Sequence, residues 1–407
     1  MLSVEDARER IHQSLCPVGL EAVRAVDAFG RVLAEALNAN RTQPPFVTSA
    51  MDGYAVRTAD LTSLPTDLNI VGRVAAGARF EGTLGPREAV AIFTGARLPD
   101  GADAVVASED AALEGSVVVI HDVPGRVAPG RHVRRIGTDF AKGDTLLPAG
   151  RRLTPRDLGL IAAMNCPDLV VYRRPRIAVL CTGNELRRPG ARLGDDQIVD
   201  ACGDAVAAVI AAAGGTVLSL GIARDDLEEV MDRLSAAGDV DLLVTIGGVS
   251  VGEFDVVLES LTRLGFSLGF HKVALRPGKP VLWGTLGGMG VLGLPGNPVS
   301  ALICVMLFLT PAIEALQGQP ASELPIEAAA AGQDQCPNGP YYSFKHARLD
   351  PQPLRLPIAT LSACQDTSVL SHFARAECLI VRPPLDPAVA KGEPVRIIRL
   401  HPIRSVL

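Results

Sequence analysis

The segment of this sequence with the most evident chemistry is the glycine-rich loop TIGGVSVGEFD at 245–255. It follows the apolar, β-branched run DVDLLVTI, which predicts a buried parallel strand that ends at Gly247 and Gly248. Ser250 is a natural N-cap for a following helix, whose free N–H groups and positive dipole end favour a bound anion. Asp255 would place a carboxylate beside that anion. A plain strand-to-helix turn also needs glycines, so the loop alone leaves both interpretations open.

Other predicted strands also lead into loops that combine glycine with polar or charged residues. In an open α/β sheet, ligands bind at the carboxyl ends of the strands, so we expect these loops to form one site. Glycines and charges at matched strand ends favour a ligand that carries phosphate over unrelated turns. The loops are TGNEL (182–186), RDD (224–226), LRPGKP (275–280) and GLPGNP (293–298).

Acidic residues in these loops predict a divalent cation. Glu185, Asp225 or Asp226, and Asp255 can supply the hard oxygen ligands that Mg²⁺ prefers. Two acidic residues in a row are also typical of the start of a helix, so the role of the Asp225–Asp226 pair stays open. Lys279 lies between a glycine and a proline and suits a point charge on phosphate, although an isolated lysine is usually solvated surface.

Three further segments have both a structural and a functional interpretation. In GLPGNPVSA, Asn297 can cap an apolar helix with Pro298 in its first position, or the GNP core can form a wall against a flat ring. Asp52 in PPFVTSAMDGYAV and Thr94 in FTGARLPDGADAVV each precede a glycine and are typical of turns, unless the site lies between domains. The first strand is not followed by GxxxxGK[ST] or GxGxxG, which argues against P-loop and dinucleotide sites.

The pattern of elements predicts a multidomain protein of α/β class with added β modules. Residues 173–318 alternate strands and helices, as in a doubly wound α/β domain, and the two apolar series in 1–40 predict a helix pair. A helix is also predicted after Thr154, with Pro155 in its first turn. The predicted domains are 1–50 with 140–172 (N-terminal, discontinuous), 51–139 (inserted, β-rich), 173–318 (α/β) and 319–407 (C-terminal, β).

Composition excludes several classes of function. The 407 residues carry a net charge of −6 and only 4% aromatic side chains, which argues against a nucleic-acid groove. The eight cysteines form no CxxC pair or Cys/His cluster, which favours a reducing cytoplasm. The N-terminus is charged throughout, unlike a signal peptide, and ALICVMLFL (301–309) is too short to span a membrane, so we predict a buried helix.

In order, SAMDGYAV, FTGARLPDGADAVV, TGNEL, GGVSVGEFD, LRPGKP and GLPGNPVSA resemble the molybdopterin molybdenumtransferase family, the MoeA proteins and the gephyrin E domain. The resemblance covers nearly the whole chain. It implies four domains, an α/β part like the molybdopterin adenylyltransferase fold, and a homodimer whose cleft mixes residues of both subunits. The implied reaction takes adenylylated molybdopterin and molybdate, cleaves the phosphoanhydride with release of AMP, and leaves molybdenum on the dithiolene. A molybdopterin adenylyltransferase would act upstream and molybdoenzymes downstream.

The resemblance also implies roles for individual residues. Glu185, Asp225 and Asp255, with Asp226 as a further candidate, would hold Mg²⁺, and Lys279 would neutralise phosphate or molybdate charge. Asp52 and Thr94 would approach from the other subunit and complete the catalytic set. The implied substrate-binding residues are Asp139, Thr182, Gly183, Asn184, Gly247, Gly248, Ser250, Arg276, Pro277, Gly278, Pro295, Gly296, Asn297, Pro298 and Ser300.

Several positions depart from the usual family pattern. They are Val47, Thr48, Ala91, Thr138, Ala201 and Cys202, and the last replaces a usual asparagine. These departures motivate an alternative within the family, a paralogue that binds molybdopterin or its nucleotide without inserting metal, or that prefers tungstate. A scaffold role like that of the gephyrin E domain is the alternative of a different class, but nothing in the sequence resembles an added interaction linker.

Overall fold

A computed structural model describes residues 1–121, 127–248 and 256–400. The predicted roles of Ser250 and Asp255 therefore lie outside the described residues. The central part of the chain forms one six-stranded sheet, in which the first four strands are parallel, the fifth pairs antiparallel with the fourth, and the sixth pairs antiparallel with the fifth. In spatial order the strands are Thr216–Ala223, Arg176–Thr182, Leu242–Ile246, Met289–Leu294, Leu282–Leu286 and Ser267–His271.

Helices cover both faces of this sheet, as the doubly wound prediction requires. Along strand Arg176–Thr182, Ile177, Val179 and Cys181 belong to one buried cluster, while Ala178 and Leu180 belong to another on the opposite face. Alternate side chains of a strand point to opposite faces of the sheet, so this strand is buried on both faces. The helices of this domain are Gly203–Ala212, Leu227–Ser235, Val256–Arg263 and the long helix Pro298–Leu316.

The long helix is the buried helix that the apolar run predicts. It continues from Pro298–Cys304 through a π-helical turn at Val305–Leu309 into Thr310–Leu316. By length and composition alone it is apolar enough to cross a membrane, but 78% of its most apolar stretch is buried inside the protein. Its side chains join the largest core cluster together with those of the N-terminal helix.

The N-terminal region contains one helix of the predicted pair. Val4–Ser14 is helical and buries Val4, Ala7 and Ile11. The prediction of a second helix is wrong, because Leu20–Arg24 is a strand that pairs antiparallel with Asp168–Tyr172. Val26, a member of the apolar series behind that prediction, is 71% exposed, so the series is not a buried helix face.

The predicted helix after Thr154 is confirmed as Pro155–Ala163, with a capping box between Thr154 and Asp157. Short strand pairs connect this region to the start of the chain. The additional strands are Leu37–Asn38 with Thr145–Leu147 and Thr48–Ser49 with Val133–Arg134.

Two β structures complete the chain. The first is a six-stranded sheet of Ala104–Ala107, Gly53–Val56, Glu88–Ile92, Thr66–Val74, Val117–Ile120 and Ala111–Glu114, in spatial order. The second is a closed barrel of Glu327–Ala331, Tyr342–Asp350, Ile358–Leu361, Cys378–Arg382 and Pro394–Arg399, accompanied by the short helix Leu370–Phe373. A short strand Leu275–Arg276 from the central part pairs with Tyr342–Asp350 and ties the barrel to it. The exact domain boundaries stay a prediction.

Candidate functional site

Three of the predicted loops meet at the carboxyl edge of the central sheet. Gly247 has φ of +89°, and a β-carbon there would lie 2.7 Å from the carbonyl oxygen of Thr182. A β-carbon at Gly296 would lie 3.6 Å from Cα of Gly247. Only glycine therefore allows this backbone conformation and close approach of the first and third loops. The backbone of these loops is therefore closely packed at the sheet edge.

A cleft of about 690 Å³ opens at this edge. Its volume lies in the range of small-molecule sites. Ten of the residues predicted for substrate or metal binding line it, which confirms that these loops converge. They are Thr182, Gly183, Glu185, Asp225, Gly247, Gly248, Pro295, Gly296, Asn297 and Pro298.

Two carboxylates predicted to hold a cation, Glu185 and Asp225, line this cleft, and Asp200 lines it as well. Asn184 and Asp225 exchange hydrogen bonds, since the Asn184 N–H donates to Asp225 Oδ2 at 3.3 Å and the Asp225 N–H donates to Asn184 Oδ1 at 3.2 Å. This exchange fixes Asp225 against the loop that carries Glu185. Partial burial and the nearby negative charge of Glu185 raise the pKa of Asp225. Among the described residues neither carboxylate has an ion-pair partner, so the edge holds uncompensated negative charge.

Asp226 has a different task from its neighbour. Its Oδ1 accepts a hydrogen bond of 2.9 Å from the Glu229 N–H, so Asp226 is the N-cap of helix Leu227–Ser235. It does not line the cleft. The two residues of the pair, whose role the sequence left open, thus have different roles. Asp225 faces the cleft, and Asp226 caps the start of the helix. Within the described residues no cluster of three potential metal ligands is present.

The floor of the cleft contains a residue that departs from the family pattern. Cys202 is 4% exposed, and its thiol donates to the Gly296 carbonyl at 3.7 Å. Burial and the neighbouring Asp200 raise the pKa of Cys202 to about 11, so the group is a neutral thiol at physiological pH. Asp200 Oδ1 accepts hydrogen bonds from the Cys202 and Gly203 N–H groups at the start of the next helix. All eight cysteines lie within the described residues and are free thiols.

The LRPGKP loop lies beside the cleft rather than in it. Pro280 lines the cleft, whereas Arg276 and Pro277 line an adjacent cavity of about 620 Å³. Lys279, predicted to offset phosphate charge, precedes Pro280 in the sequence and lines neither space. Gly278 packs against the long helix, since a β-carbon there would lie 2.3 Å from Cys304 Sγ, and Ser300 is buried in that helix. Gly278 and Ser300 are therefore placed as packing residues.

The C-terminal barrel region contributes to the site, which the sequence did not reveal. Ser368 and Leu370 line the cleft. Asn297 occupies the N-cap position of the long helix as predicted, but its side chain does not cap it and instead donates to Thr367 Oγ1 at 3.0 Å. The Thr367 carbonyl accepts from the Val299 N–H at 3.0 Å and supplies the cap.

Asp52, Thr94 and Asp139 lie away from the cleft of their own chain. Both the N–H and the hydroxyl of Thr94 donate to Asp52 Oδ1 at 2.7 Å, and these bonds lower the pKa of the exposed Asp52. Asp139 lines a second cavity of about 610 Å³ that also includes Thr48 and Gly95. All three residues belong to the N-terminal region, and Asp52 and Thr94 line neither cavity.

Sequence reasoning missed five residues that line the cleft. They are Ile198, Val199, Asp200, Ser368 and Leu370. Ile198 and Val199 form a short strand that pairs with Leu186–Arg187 and extends the first loop. A signal was present for this strand in the exposed apolar pair IV directly before Asp200. The contribution of Ser368 and Leu370 depends on tertiary packing and leaves no local pattern.

Comparison with known proteins gives matches over most of the chain. Residues 2–165 match the family described as MoeA N-terminal region (domain I and II), and residues 178–315 match one described as a probable molybdopterin binding domain. A molybdopterin molybdenumtransferase of Haemophilus influenzae is 34% identical over 409 residues, which cover 98% of each chain. Molybdopterin molybdenumtransferase 2 of Mycobacterium tuberculosis is 35% identical over 364 residues, or 86% of this chain and 89% of its own.

A solved structure has the same fold from end to end. The molybdopterin biosynthesis MoeA protein from Pyrococcus horikosii superposes with a TM-score of 0.80 at 29% identity, covering 99% of this chain and 100% of that one. The arrangement of the central sheet, inserted β module and barrel is therefore shared along the whole chain.

Proposed function

The chain belongs to the molybdopterin molybdenumtransferase family of molybdenum cofactor biosynthesis, and we propose that it inserts molybdate into adenylylated molybdopterin with release of AMP. The observation that carries this proposal is the cleft at the sheet edge. There, glycine loops meet beside two carboxylates, Glu185 and Asp225, that have no ion-pair partner among the described residues. This combination suits a phosphate ligand that arrives with a divalent cation.

The reaction that we propose begins with hydrolysis of the phosphoanhydride. Water adds to one phosphorus, the bond from that phosphorus to the bridging oxygen breaks, and the released proton passes to solvent. Molybdopterin keeps its own phosphate and AMP leaves with the other. The backbone of the loops at Thr182 and Gly247 would bind the phosphates, and Lys279 would offset their charge. The two dithiolene sulfurs would then replace one oxygen of molybdate, which leaves as water with the two thiol protons, and molybdenum keeps its oxidation state.

The carboxylate pair fits a hard dication such as Mg²⁺. Burial and, to a smaller extent, repulsion by Glu185 raise the pKa of Asp225, and a cation bound by both carboxylates would relieve that repulsion. We propose that these two residues, with Asp255, hold it, and that Asp226 does not. When bound, the cation would stabilise the negative charge on the phosphoanhydride oxygens.

A second subunit would complete the site. Asp52 and Thr94 are held together by two hydrogen bonds on an exposed surface outside the cleft of their own chain, as expected if they serve the cleft of a partner. Asp139, on the same N-terminal region, would join them. We therefore propose a homodimer. The free thiols are consistent with action in the cytoplasm, which we include in the proposal.

The test is AMP release from adenylylated molybdopterin by the purified chain, with and without molybdate. We expect AMP release that requires Mg²⁺ and molybdenum that stays with the pterin. The paralogue suggested by the departures at Ala201 and Cys202 would bind pterin tightly with no turnover. That result would overturn the proposed reaction. Faster turnover with tungstate than with molybdate would mean that tungstate, and not molybdate, is the preferred substrate.

A further inference from the structure

One aromatic ring, in the cavity adjacent to the cleft, contacts two cationic side chains. The Arg276 guanidinium carbon and the Lys279 ammonium nitrogen each lie 5.4 Å from the centroid of the Tyr341 ring. Both distances are within the range of cation–π attraction. Among the described residues neither cation has a carboxylate partner, so the ring is the group that holds both of them.

The backbone around Tyr341 is fixed from two sides. Tyr341 directly precedes strand Tyr342–Asp350, which pairs with Leu275–Arg276, and the Tyr342 N–H donates to the Ala274 carbonyl at 3.0 Å. The Asn338 amide donates to the Tyr341 carbonyl at 2.9 Å and to the Arg382 carbonyl at 3.0 Å. The ring of the C-terminal barrel region is thereby held against a loop of the central domain.

An aromatic ring differs from a carboxylate as a partner for a cation. A carboxylate would neutralise Arg276 or Lys279 and compete with any anionic ligand. The face of a neutral ring attracts both cations through its quadrupole and leaves their net charge in place. It also offsets part of the repulsion between two like charges that lie close together.

The location of this group fits a role toward the ligand of the cleft. Pro280, next to Lys279, lines the cleft, while Arg276 and Tyr341 line the adjacent cavity. Thr367 lines that cavity, and its neighbour Ser368 lines the cleft. Arg276 thus lines the adjacent cavity, and Lys279, which lines neither space itself, directly precedes the cleft residue Pro280.

We infer that Tyr341 is a positioning residue, whose ring holds Arg276 and Lys279 as unneutralised cations for the phosphate or oxyanion part of the substrate. This inference deepens the proposed function and rests on it for the identity of the substrate. The physical claim concerns anion binding and is testable without turnover.

The experiment measures binding of inorganic pyrophosphate to the full chain by calorimetry for wild type, Tyr341→Phe and Tyr341→Leu. Phenylalanine keeps the ring, so we expect its Kd within about 2-fold of wild type, whereas leucine should raise Kd about 5- to 30-fold, as loss of two cation–π contacts implies. The KM for adenylylated molybdopterin should rise with Kd, while kcat changes less. If leucine lowers the melting temperature, Tyr341→Met replaces it as the variant without a ring.

A double-mutant cycle separates positioning from a merely structural role. In a chain that carries Arg276→Met and Lys279→Met, the Tyr341→Leu change should have no further effect on pyrophosphate binding. An equal loss in both backgrounds, a loss with phenylalanine as large as with leucine, or no pyrophosphate binding by wild type would each overturn the inference. If wild type binds pyrophosphate in this ring-dependent way but releases no AMP, the proposed function fails and the role of Tyr341 in anion binding stands.

Discussion

Asp225 is a partly buried carboxylate that lines the cleft. Its pKa is raised, first by burial and then by Glu185. A carboxyl whose pKa is higher in the folded state stabilises the fold at low pH, and that stabilisation is lost as the pH rises from the unfolded pKa through the folded one. At neutral pH the ionised group therefore opposes folding unless a cation is bound.

We predict that Asp225→Asn melts at or above the wild-type temperature at neutral pH without divalent ions. The substitution keeps the shape of the side chain and removes one of the two repelling charges. The rise in melting temperature that Mg²⁺ gives the wild type should be absent. Thermal unfolding with EDTA and with Mg²⁺ measures both effects. An equal Mg²⁺ response in the variant would contradict a role for Asp225 in holding the cation.

The environment of His346 indicates that the folded state loses stability at acidic pH. It is 2% exposed, neither ring nitrogen has a hydrogen-bond partner among the described residues, and its ring meets Phe373 edge-on. Burial, with a smaller contribution from His372, lowers its pKa from 6.5. The unfolded chain therefore binds the proton first, and stability is lost as the pH falls below 6.5 toward the folded pKa.

We expect His346→Phe to flatten this loss, because an apolar ring needs no hydrogen-bond partner and takes no proton. Chemical denaturation between about pH 7.5 and pH 5.5 measures the slope, which should be smaller in the variant. His372→Gln is the control, since it removes only the neighbouring charge and should retain most of the slope. If His346→Phe keeps the full wild-type slope, groups other than His346 cause the loss of stability at acidic pH.

At the scale of elements, Asp226 is the cap of helix Leu227–Ser235. We predict that Asp226→Ala lowers the free energy of unfolding by about 1 kcal/mol, whereas Asp226→Asn retains most of the cap. Urea denaturation measures the difference. Both variants should keep the wild-type response to Mg²⁺, and its loss in Asp226→Asn would place Asp226 among the ligands.

Elements with a strong local signal were predictable from the sequence. Helix Pro155–Ala163 follows from Thr154 and Pro155, and the central strands follow from their apolar, β-branched runs. Leu20–Arg24 was predicted as helix because its partner strand lies about 150 residues away in the sequence and leaves no trace in the local periodicity.

The site was predictable to a similar extent. The strand-end loops were found because topology brings the carboxyl ends of parallel strands together. The other contacts at the site depend on tertiary packing and have no local sequence signal. The side chain of Asn297 bonds Thr367 instead of capping its own helix, and Ser368 and Leu370 reach the cleft from the barrel region.

At the scale of the whole molecule, the separation of Asp52 from the cleft predicts shared active sites. In a mixture of Asp52→Ala and Asp225→Asn chains, each inactive alone, a mixed dimer would contain one site with both defects and one with neither. Random exchange of subunits should restore about a quarter of wild-type activity. AMP release after co-refolding measures it. No recovery would mean that both residues serve the same chain's site.

In the proposed reaction Asp225, which lines the cleft, takes part in the chemistry, and its neighbour Asp226 does not. The most direct measurement is Mg²⁺-dependent AMP release from adenylylated molybdopterin by Asp225→Asn and Asp226→Asn side by side. We predict that Asp225→Asn loses at least about 100-fold in rate, because charge stabilisation at the phosphoanhydride is lost, while Asp226→Asn stays close to wild type. Wild-type rates in Asp225→Asn, or equal losses in both variants, would contradict it.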